Sequence, residues 1–366
     1  MEKIGIYLHI PFCDGKCPYC DFYSLKGDER RYDEYAAKLS KQLEYFANST
    51  GRTADTLYIG GGTPSVIGGE RIAGLIKKSR EFFGLENAEI TVECNPRSAN
   101  GDFFEKIAAE GANRVSVGMQ SASEKELQLL GRRHRAEDAA KTVEAARKAG
   151  IENISLDLMI GTPEQTTESL LESAEFCIEQ GVKHISAYML KIEEGTRFDC
   201  EDIVSRCPDS DETAEMYEQL CQKLEENGFA RYEISNFAKY GFESRHNTKY
   251  WRCEEYLGLG PAAHSFLNGR RSYYPRLIEK FLSDETPQPI YDGEGGSFEE
   301  FVMLGLRLSE GVDLAELARR YSNDSINKNQ LELLKKNGFL TENEGRLALT
   351  TKGVLVSNEV ISRLLD

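Results

Sequence analysis

Ile4 to Phe22 reads IGIYLHIPFCDGKCPYCDF, an apolar run that passes directly into three cysteines. The run Ile4 to Ile10 predicts the first strand of a domain, and the loop behind it places Cys13, Cys17 and Cys20 in a C-x3-C-x2-C spacing. Three thiolates fall one short of the four ligands that close a structural zinc site or an ordinary iron–sulfur site. They can hold three irons of a [4Fe–4S] cluster and leave the fourth iron open to a further ligand. Two other readings compete at this point: a disulfide with one odd thiol, and a zinc ion that borrows His9.

Outward from this loop, strands and helices alternate. Thr56 to Ile59 is a short predicted strand ending in Gly60-Gly61-Gly62-Thr63-Pro64, and further strands are expected over Glu89 to Cys94, Arg114 to Val117, Asn153 to Ile160 and His184 to Leu190. Amphipathic helices are expected between them, over Glu29 to Asn48, Ser65 to Phe83, Gly101 to Glu110, Glu137 to Ala149 and Glu168 to Gln180. This alternation predicts β/α units on a parallel sheet. Six units are too few for a closed eight-unit barrel, so the expected fold is α/β, an open partial (β/α)6 barrel. In such folds ligands sit at the carboxyl ends of the strands. The cysteine loop, the triple glycine, Glu93, Gln120 and Asp157 all fall at that rim. Glycines admit a ligand close to the backbone. Glu93 suits an ammonium group, Arg132 a carboxylate, and Gln120 and Asp157 ribose hydroxyls. Taken singly, each residue also has a plain structural reading as a turn or a solvated polar group.

Composition sets the outer limits. The 366 residues are 40% hydrophobic and 29% charged, as in an ordinary globular protein. A net charge of −16 argues against a general nucleic-acid surface. No apolar run approaches the ~18 residues of a membrane span. Met1-Glu2-Lys3 leads straight into the first strand with no signal peptide, and nine cysteines fit a reducing compartment, so a cytoplasmic location is expected.

The motifs YLHIPFCDGKCPYC, YIGGGTP, VECNPR, VSVGMQS, LLGRRH and LDLMIGTP occur in one order. In this they resemble radical S-adenosylmethionine (SAM) proteins, specifically the family of oxygen-independent coproporphyrinogen III oxidases (HemN) and the related haem chaperones (HemW). The resemblance covers essentially the whole chain. It implies that Cys13, Cys17 and Cys20 ligate a [4Fe–4S] cluster whose open iron chelates the amino and carboxylate groups of SAM. It places Tyr7 and Tyr19 beside the cluster and SAM. Gly61, Gly62, Thr63 and Glu93 would hold the methionine end, Arg132 its carboxylate, and Gln120 and Asp157 the ribose. Cys94 matches no ligand of the family and reads as a buried thiol, as do Cys177 and Cys221. Cys200, Cys207 and Cys253 have no assignment.

Two departures separate the chain from the oxidase branch. The oxidases resemble a pattern with an additional cysteine where this chain has Phe22, and they carry an extension before the first strand, which here begins at Ile4. Arg245 to Trp251, RHNTKYW, instead matches the HNxxYW pattern of HemW proteins. His246 is then an expected axial ligand of haem, with Tyr250 and Trp251 as a flat apolar face. The competing structural reading has His246 hydrogen-bonded in the fold and Trp251 filling a core between domains. GLGPAAHSF, Gly258 to Phe266, adds His264 as a second haem candidate. His9 is expected to support the cluster, while His134 and His184 give no signal.

The expected organisation is a radical SAM partial barrel over residues 1–238, a connector carrying HNxxYW over 239–296 with a linker from Ser283 to Gly296, and a small module over 297–366. That module should contain helices over Phe298 to Leu308, Asp313 to Tyr321 and Asn329 to Asn337. A hairpin around Glu342-Asn343-Glu344-Gly345 and a closing helix over Thr351 to Leu365 complete it, a winged-helix-like α+β unit. Its acidic turn and lack of a basic cluster argue for a cover or docking element rather than a DNA reader. The resemblance therefore implies a haem chaperone that delivers haem to apo-haemoproteins. The alternative is oxidative decarboxylation of coproporphyrinogen III, and a radical SAM enzyme with another substrate ranks third. Whether SAM is cleaved is not decided by the motifs. Peripheral contact with membrane-bound recipients and a homodimer are left open.

Overall fold

The computed structural model describes residues 3–322 and 324–366; Met1 and Glu2, read above as the lead into the first strand, lie outside them. Six strands form the centre of the molecule: β1 (Ile4–Ile10), β2 (Ala54–Gly61), β3 (Glu89–Cys94), β4 (Arg114–Gln120), β5 (Asn153–Ile160) and β6 (His184–Met189). They are parallel and lie side by side in chain order, as the β/α alternation predicts. The first crossover helix, Glu29–Thr50, starts at Asp28, whose carboxylate accepts the Arg31 amide, and stops at Gly51 in the left-handed region. Tyr35, Leu39 and Leu43 on its inner stripe are fully buried.

The two faces of the sheet differ in chemistry because strand side chains alternate. On β1, Ile4, Ile6, Leu8 and Ile10 are fully buried and belong to the main hydrophobic core. Tyr7 and His9 alternate with them and point to the concave side. There they join Thr56 and Tyr58 of β2, Glu89 and Glu93 of β3, Arg114 and Ser116 of β4, Asp157 of β5 and His184 of β6. Hydrogen bonds between Tyr58 and Glu93, Ser116 and Asp157, and Ser155 and His184 tie this polar face together. The interior of the barrel is thus a bonded polar column, while the hydrophobic layer lies outside it.

The sheet does not stop at six strands. β8 (Asn236–Ala238) adds antiparallel to β6 and β7 (Ala230–Arg231) antiparallel to β8, while β9 (Tyr256–Leu259) returns to the far edge and lies parallel to β1. β10 (His264–Leu267), β11 (Arg270–Tyr273) and β12 (Ile290–Glu294) continue it antiparallel, which gives a twelve-stranded sheet. Residues 239–296, read above as a connector, therefore extend the barrel sheet itself. The supposed linker from Ser283 to Gly296 carries β12. Strands of four or five residues with mixed polarity leave too short a periodic signal to be read in the sequence.

The C-terminal module has helices Phe298–Gly305, Leu314–Arg320 and Lys328–Lys336, followed by the expected hairpin β14 (Leu340–Asn343) to β15 (Arg346–Leu349). Glu344 and Gly345 both have positive φ, 51° and 77°, the two-residue hairpin turn whose twist matches the strands. A third strand, β13 (Val312–Asp313), pairs with β15. The closing helix divides at Val356 into Thr351–Leu355 and Ser357–Leu365. The Ser309 amide donates to the Tyr232 carbonyl at 2.9 Å and Tyr321 to the Gly296 carbonyl at 2.7 Å, fastening the module to the barrel. Among the described residues no helix is long and apolar enough to cross a membrane.

Candidate functional site

The cysteine loop is pinched at its base. Leu25 donates its amide to the Pro11 carbonyl, and Cys13 to that of Leu25, both at 2.9 Å. Between these bonds Cys13, Cys17 and Cys20 are half-buried and free. No cysteine pairs in a disulfide. His9 has both ring nitrogens engaged, Nδ1 with the Tyr7 hydroxyl at 2.9 Å and Nε2 with the Tyr23 carbonyl at 3.3 Å. Burial lowers its pKa to about 4, so it is a neutral scaffold group beneath the loop. Among the described residues no three Cys, His, Asp or Glu side chains converge on a single metal ion. A cubane does not need such convergence, because each thiolate takes a separate iron.

Three outside segments hold the loop. Arg276 reaches the Asp21 carboxylate at 3.2 Å, Arg197 donates to the Lys16 carbonyl at 3.0 Å, and the Phe198 amide donates to the Pro18 carbonyl at 3.2 Å. Gly131, at φ 67°, lies so close to Pro18 that a Cβ there would stand 2.7 Å from its ring.

The triple glycine acts partly as a staple. Gly62 and Thr63 donate their amides to the carbonyls of Ile10 and Phe12, each at 2.8 Å, while Gly61 donates to Glu93 at 3.1 Å. These amides are therefore committed within the fold, and the contribution of Gly61 and Gly62 to the pocket wall is the close backbone approach that glycine allows. A Cβ on Gly62 would stand 2.6 Å from the Phe12 carbonyl oxygen. Gly62→Ala should therefore push the cysteine loop away at a cost of about 1–3 kcal/mol. Iron and sulfide bound after anaerobic reconstitution should drop several-fold, and wild-type loading would contradict this role.

Glu93 accepts from the Tyr58 hydroxyl at 2.7 Å through one oxygen and from Gly61 through the other. Asp157 accepts from Ser116 at 2.9 Å. Burial in the depth of the pocket raises Glu93 to about 7 and Asp157 to about 6. Arg132 donates twice to the Tyr19 hydroxyl, at 3.0 and 2.6 Å. Gln120 has φ 75°, a conformation a non-glycine residue rarely adopts, at the end of β4. Cys13 Sγ lies 3.3 Å from the Thr63 hydroxyl.

All of these groups line one cavity of about 670 Å³, from the cysteine loop after β1 to Tyr188 at the end of β6. Strands ~4.8 Å apart would spread six strand ends over about 24 Å if the sheet were flat. Their convergence on one cavity is what makes the sheet a partial barrel. The cavity size falls in the ~300–1,000 Å³ range of small-molecule sites. Free thiols on a loop that faces a cavity lined by carboxylates and a guanidinium fit a cluster with a zwitterionic ligand beside it.

Of the residues expected here, Cys13, Cys17, Cys20, Tyr19, Gly61, Gly62, Thr63, Glu93, Gln120, Arg132 and Asp157 line the cavity. Tyr7 does not. Its ring lies behind Tyr58, 6.2 Å between centroids, one layer below the wall. Tyr58, Ser116 and Tyr188 were not anticipated. Their signal is alternation: each sits on the inward parity of its strand, in step with Glu93 and Asp157.

The expected haem residues do not form one site. His246 is fully buried on helix Arg245–Trp251, at the end of the barrel opposite the cysteines. Its Nδ1 pairs with Thr56 at 2.8 Å and Nε2 with Tyr250 at 2.7 Å, and its ring stacks on Tyr58 at 5.3 Å. Its amide donates to Glu89 at 2.9 Å, and burial lowers its pKa to about 3. With no free nitrogen and no access, His246 does not offer an axial ligand. Tyr250 packs against Tyr256 at 4.5 Å, and Trp251 lies under Arg307 at 5.7 Å against the C-terminal module. The HNxxYW helix plugs the barrel floor, which corrects the reading of Tyr250 and Trp251 as a haem face. His264 is instead exposed at the start of β10.

Residues 7–177 match the radical SAM superfamily and residues 298–356 the HemN C-terminal domain. The chain is 35% identical to Heme chaperone HemW of Mycobacterium tuberculosis, over 100% of this chain and 95% of that protein. It is 34% identical to Heme chaperone HemW of Bacillus subtilis, over 98% of each. For Heme chaperone HemW of Escherichia coli the figures are 35%, 100% and 99%. Coproporphyrinogen III oxidase (HemN) of Escherichia coli, a radical SAM enzyme, superposes with a TM-score of 0.84 over 99% of this chain and 90% of its own, at 21% identity.

Proposed function

Since the chain belongs to the HemW family, we propose that it is a haem chaperone: it binds haem as cargo and delivers it to apo-haemoproteins. The observation that carries this reading is full-length identity of about 35% to proteins named for that activity in several bacteria. The likeness to the oxidase is one of fold, at 21% identity. Nine unpaired thiols favour work in a reducing compartment, the cytoplasm.

In this reading Cys13, Cys17 and Cys20 hold a [4Fe–4S] cluster, and SAM occupies the cavity beside it. Such a cluster supplies an electron donor and, at its open iron, a chelation point for the SAM amino and carboxylate groups. The chain's own groups do the remaining work. Glu93 receives the ammonium group, and Tyr58 orients its carboxylate. Arg132, held by Tyr19, faces the SAM carboxylate, and Gln120 and Asp157 take the ribose hydroxyls. Thr63 borders the Cys13 sulfur and the methionine end.

Glu93 gives this assignment a pH signature. Only its ionised form attracts an ammonium group, and its pKa stands near 7. SAM affinity of the cluster-loaded protein should therefore fall as pH drops from about 8 to about 6. Glu93→Gln should weaken SAM binding by at least about tenfold, the loss of one charge-assisted contact, and flatten this profile. Stability should move the other way. The folded-state pKa lies above the ordinary 4.5, so the folded chain holds an extra proton between those values and loses stability as pH rises through that window. Glu93→Gln removes that penalty and should leave the protein without SAM at least as stable at neutral pH. A pH-independent SAM affinity in the wild type would remove Glu93 from the site.

The carrier reading is tested by anaerobic titration of the cluster-loaded protein with haem, followed by addition of an apo-haemoprotein. Saturable one-to-one binding and transfer are expected. Absence of saturable binding would exclude the proposal.

A further inference from the structure

Resting on the haem-carrier reading, we propose that the haem docks on the concave face of the antiparallel strands β10–β12, with His264 as its iron ligand. The assignment begins with the five histidines of the chain. His9, His184 and His246 each use both ring nitrogens in hydrogen bonds, and His134, in a buried position, donates its Nε2–H to the Met119 carbonyl at 2.9 Å. His264 is exposed, and among the described residues neither of its ring nitrogens has a hydrogen-bond partner, while its ring stacks on Tyr273, 5.6 Å between centroids at 25°. An iron ligand needs an unprotonated nitrogen lone pair with room in front of it. Partial burial holds the pKa of this ring below its ordinary value, so it is neutral near pH 7 and no proton has to leave when iron binds.

The surroundings supply what a flat dianionic tetrapyrrole requires. His264 pairs with Tyr273 across β10 and β11, and Tyr273 pairs with Ile290 across β11 and β12, so the three side chains form one row on one face. Register fixes which face. Gly5 pairs with Tyr256 and Tyr256 with Phe266, so His264, two residues before Phe266, shares the concave side with Tyr7, Tyr58 and Glu93. Ile290 is 43% exposed; Leu277, next in the chain to the cavity-lining Arg276, is 56% exposed, and Phe22 in the cavity wall is 68% exposed. An open apolar side chain in the same row as an unengaged imidazole suits the face of a tetrapyrrole. Arg276, whose charge is felt by the His264 ring, is half-exposed and offers a guanidinium to a propionate. It is also the residue that grips Asp21 of the cysteine loop.

This placement sets the cargo on the far side of Arg276 from the cysteine loop. Haem on β10–β12 and SAM in the cavity would share a wall at Arg276 and Phe22, both of which line the cavity. The position at which the oxidases carry a further cysteine is thereby a surface phenylalanine that borders the docking face.

The test is ferric haem titration of the full-length, cluster-loaded protein, read by Soret absorbance and by the low-spin electron paramagnetic resonance signal of an imidazole-ligated iron. His264 is exposed, so His264→Ala should fold normally, lose the imidazole signature and bind haem at least about tenfold more weakly. Added free imidazole should restore the signature. Ile290→Glu, which keeps the ligand but charges the platform, should weaken binding without changing the signature. A wild-type spectrum in His264→Ala overturns the docking site while leaving the carrier reading in place. Absence of saturable haem binding by the wild type overturns both.

Discussion

Cys17→Ala should leave the folded protein with no reconstituted iron or sulfide above background. The reason is stoichiometric: in the proposed site three thiolates would serve a cluster with no fourth protein ligand, so removal of one leaves two. Cys17 sits half-buried in a loop whose shape is set by bonds elsewhere, at Leu25, Asp21, Lys16 and Pro18. Its backbone carbonyl, which accepts the Cys20 amide at 3.2 Å, survives the substitution. Thermal stability of the protein without cluster should therefore change little. SAM binding should be lost with the cluster, because the open iron supplies part of that site. Haem binding should persist, since the proposed docking row of His264, Tyr273 and Ile290 lies on β10–β12, outside the lining of the cavity that the cysteines face. Loss of haem binding together with the cluster would show that the two sites are one.

His246→Ala should have the opposite profile, a large loss of stability with no direct effect on haem ligation. The imidazole is fully buried, bridges Thr56 and Tyr250, and stacks on Tyr58, which in turn orients Glu93. Truncation leaves two hydroxyls without that partner and a cavity in the barrel floor. The expected cost is about 2–4 kcal/mol. Urea or thermal unfolding measures it, and Soret spectra of the folded fraction should match the wild type. A stable His246→Ala protein with an altered Soret band would reinstate His246 as the ligand. The pKa of about 3 adds a consequence. The folded chain holds this ring neutral while the unfolded chain protonates it near its ordinary 6.5. Stability from this residue is therefore present above that value and is lost as pH falls towards about 3.

Much of the cavity lining was legible because a cysteine loop, glycines and carboxylates stand at strand ends in the β/α order. The C-x3-C-x2-C loop, Gly60-Gly61-Gly62, Glu93 and Asp157 stand at strand ends, and the β/α order alone puts those ends on one rim. Tyr7 was misplaced by a single layer, because sequence gives its parity on β1 but not that Tyr58 lies in front of it. The HNxxYW reading failed for a different reason. A histidine beside aromatic residues looks the same in sequence whether the cluster faces solvent or fills a cavity. The helix 245–251 could be seen to plug the floor only once β9 was found beside β1, since that pairing brings Tyr256 against Tyr250. β9 to β12 escaped notice because each is too short to show a period. Yet those strands carry the exposed row from His264 to Ile290.

The central claim is that this chain carries haem rather than converting its precursor. One experiment addresses it directly. Cluster-loaded protein is incubated anaerobically with SAM, a reductant and coproporphyrinogen III, and a parallel sample receives haem and then an apo-haemoprotein. No protoporphyrinogen IX is expected in the first sample, with saturable haem binding and transfer in the second. Turnover of coproporphyrinogen III without haem transfer would contradict it and place the chain with the oxidases.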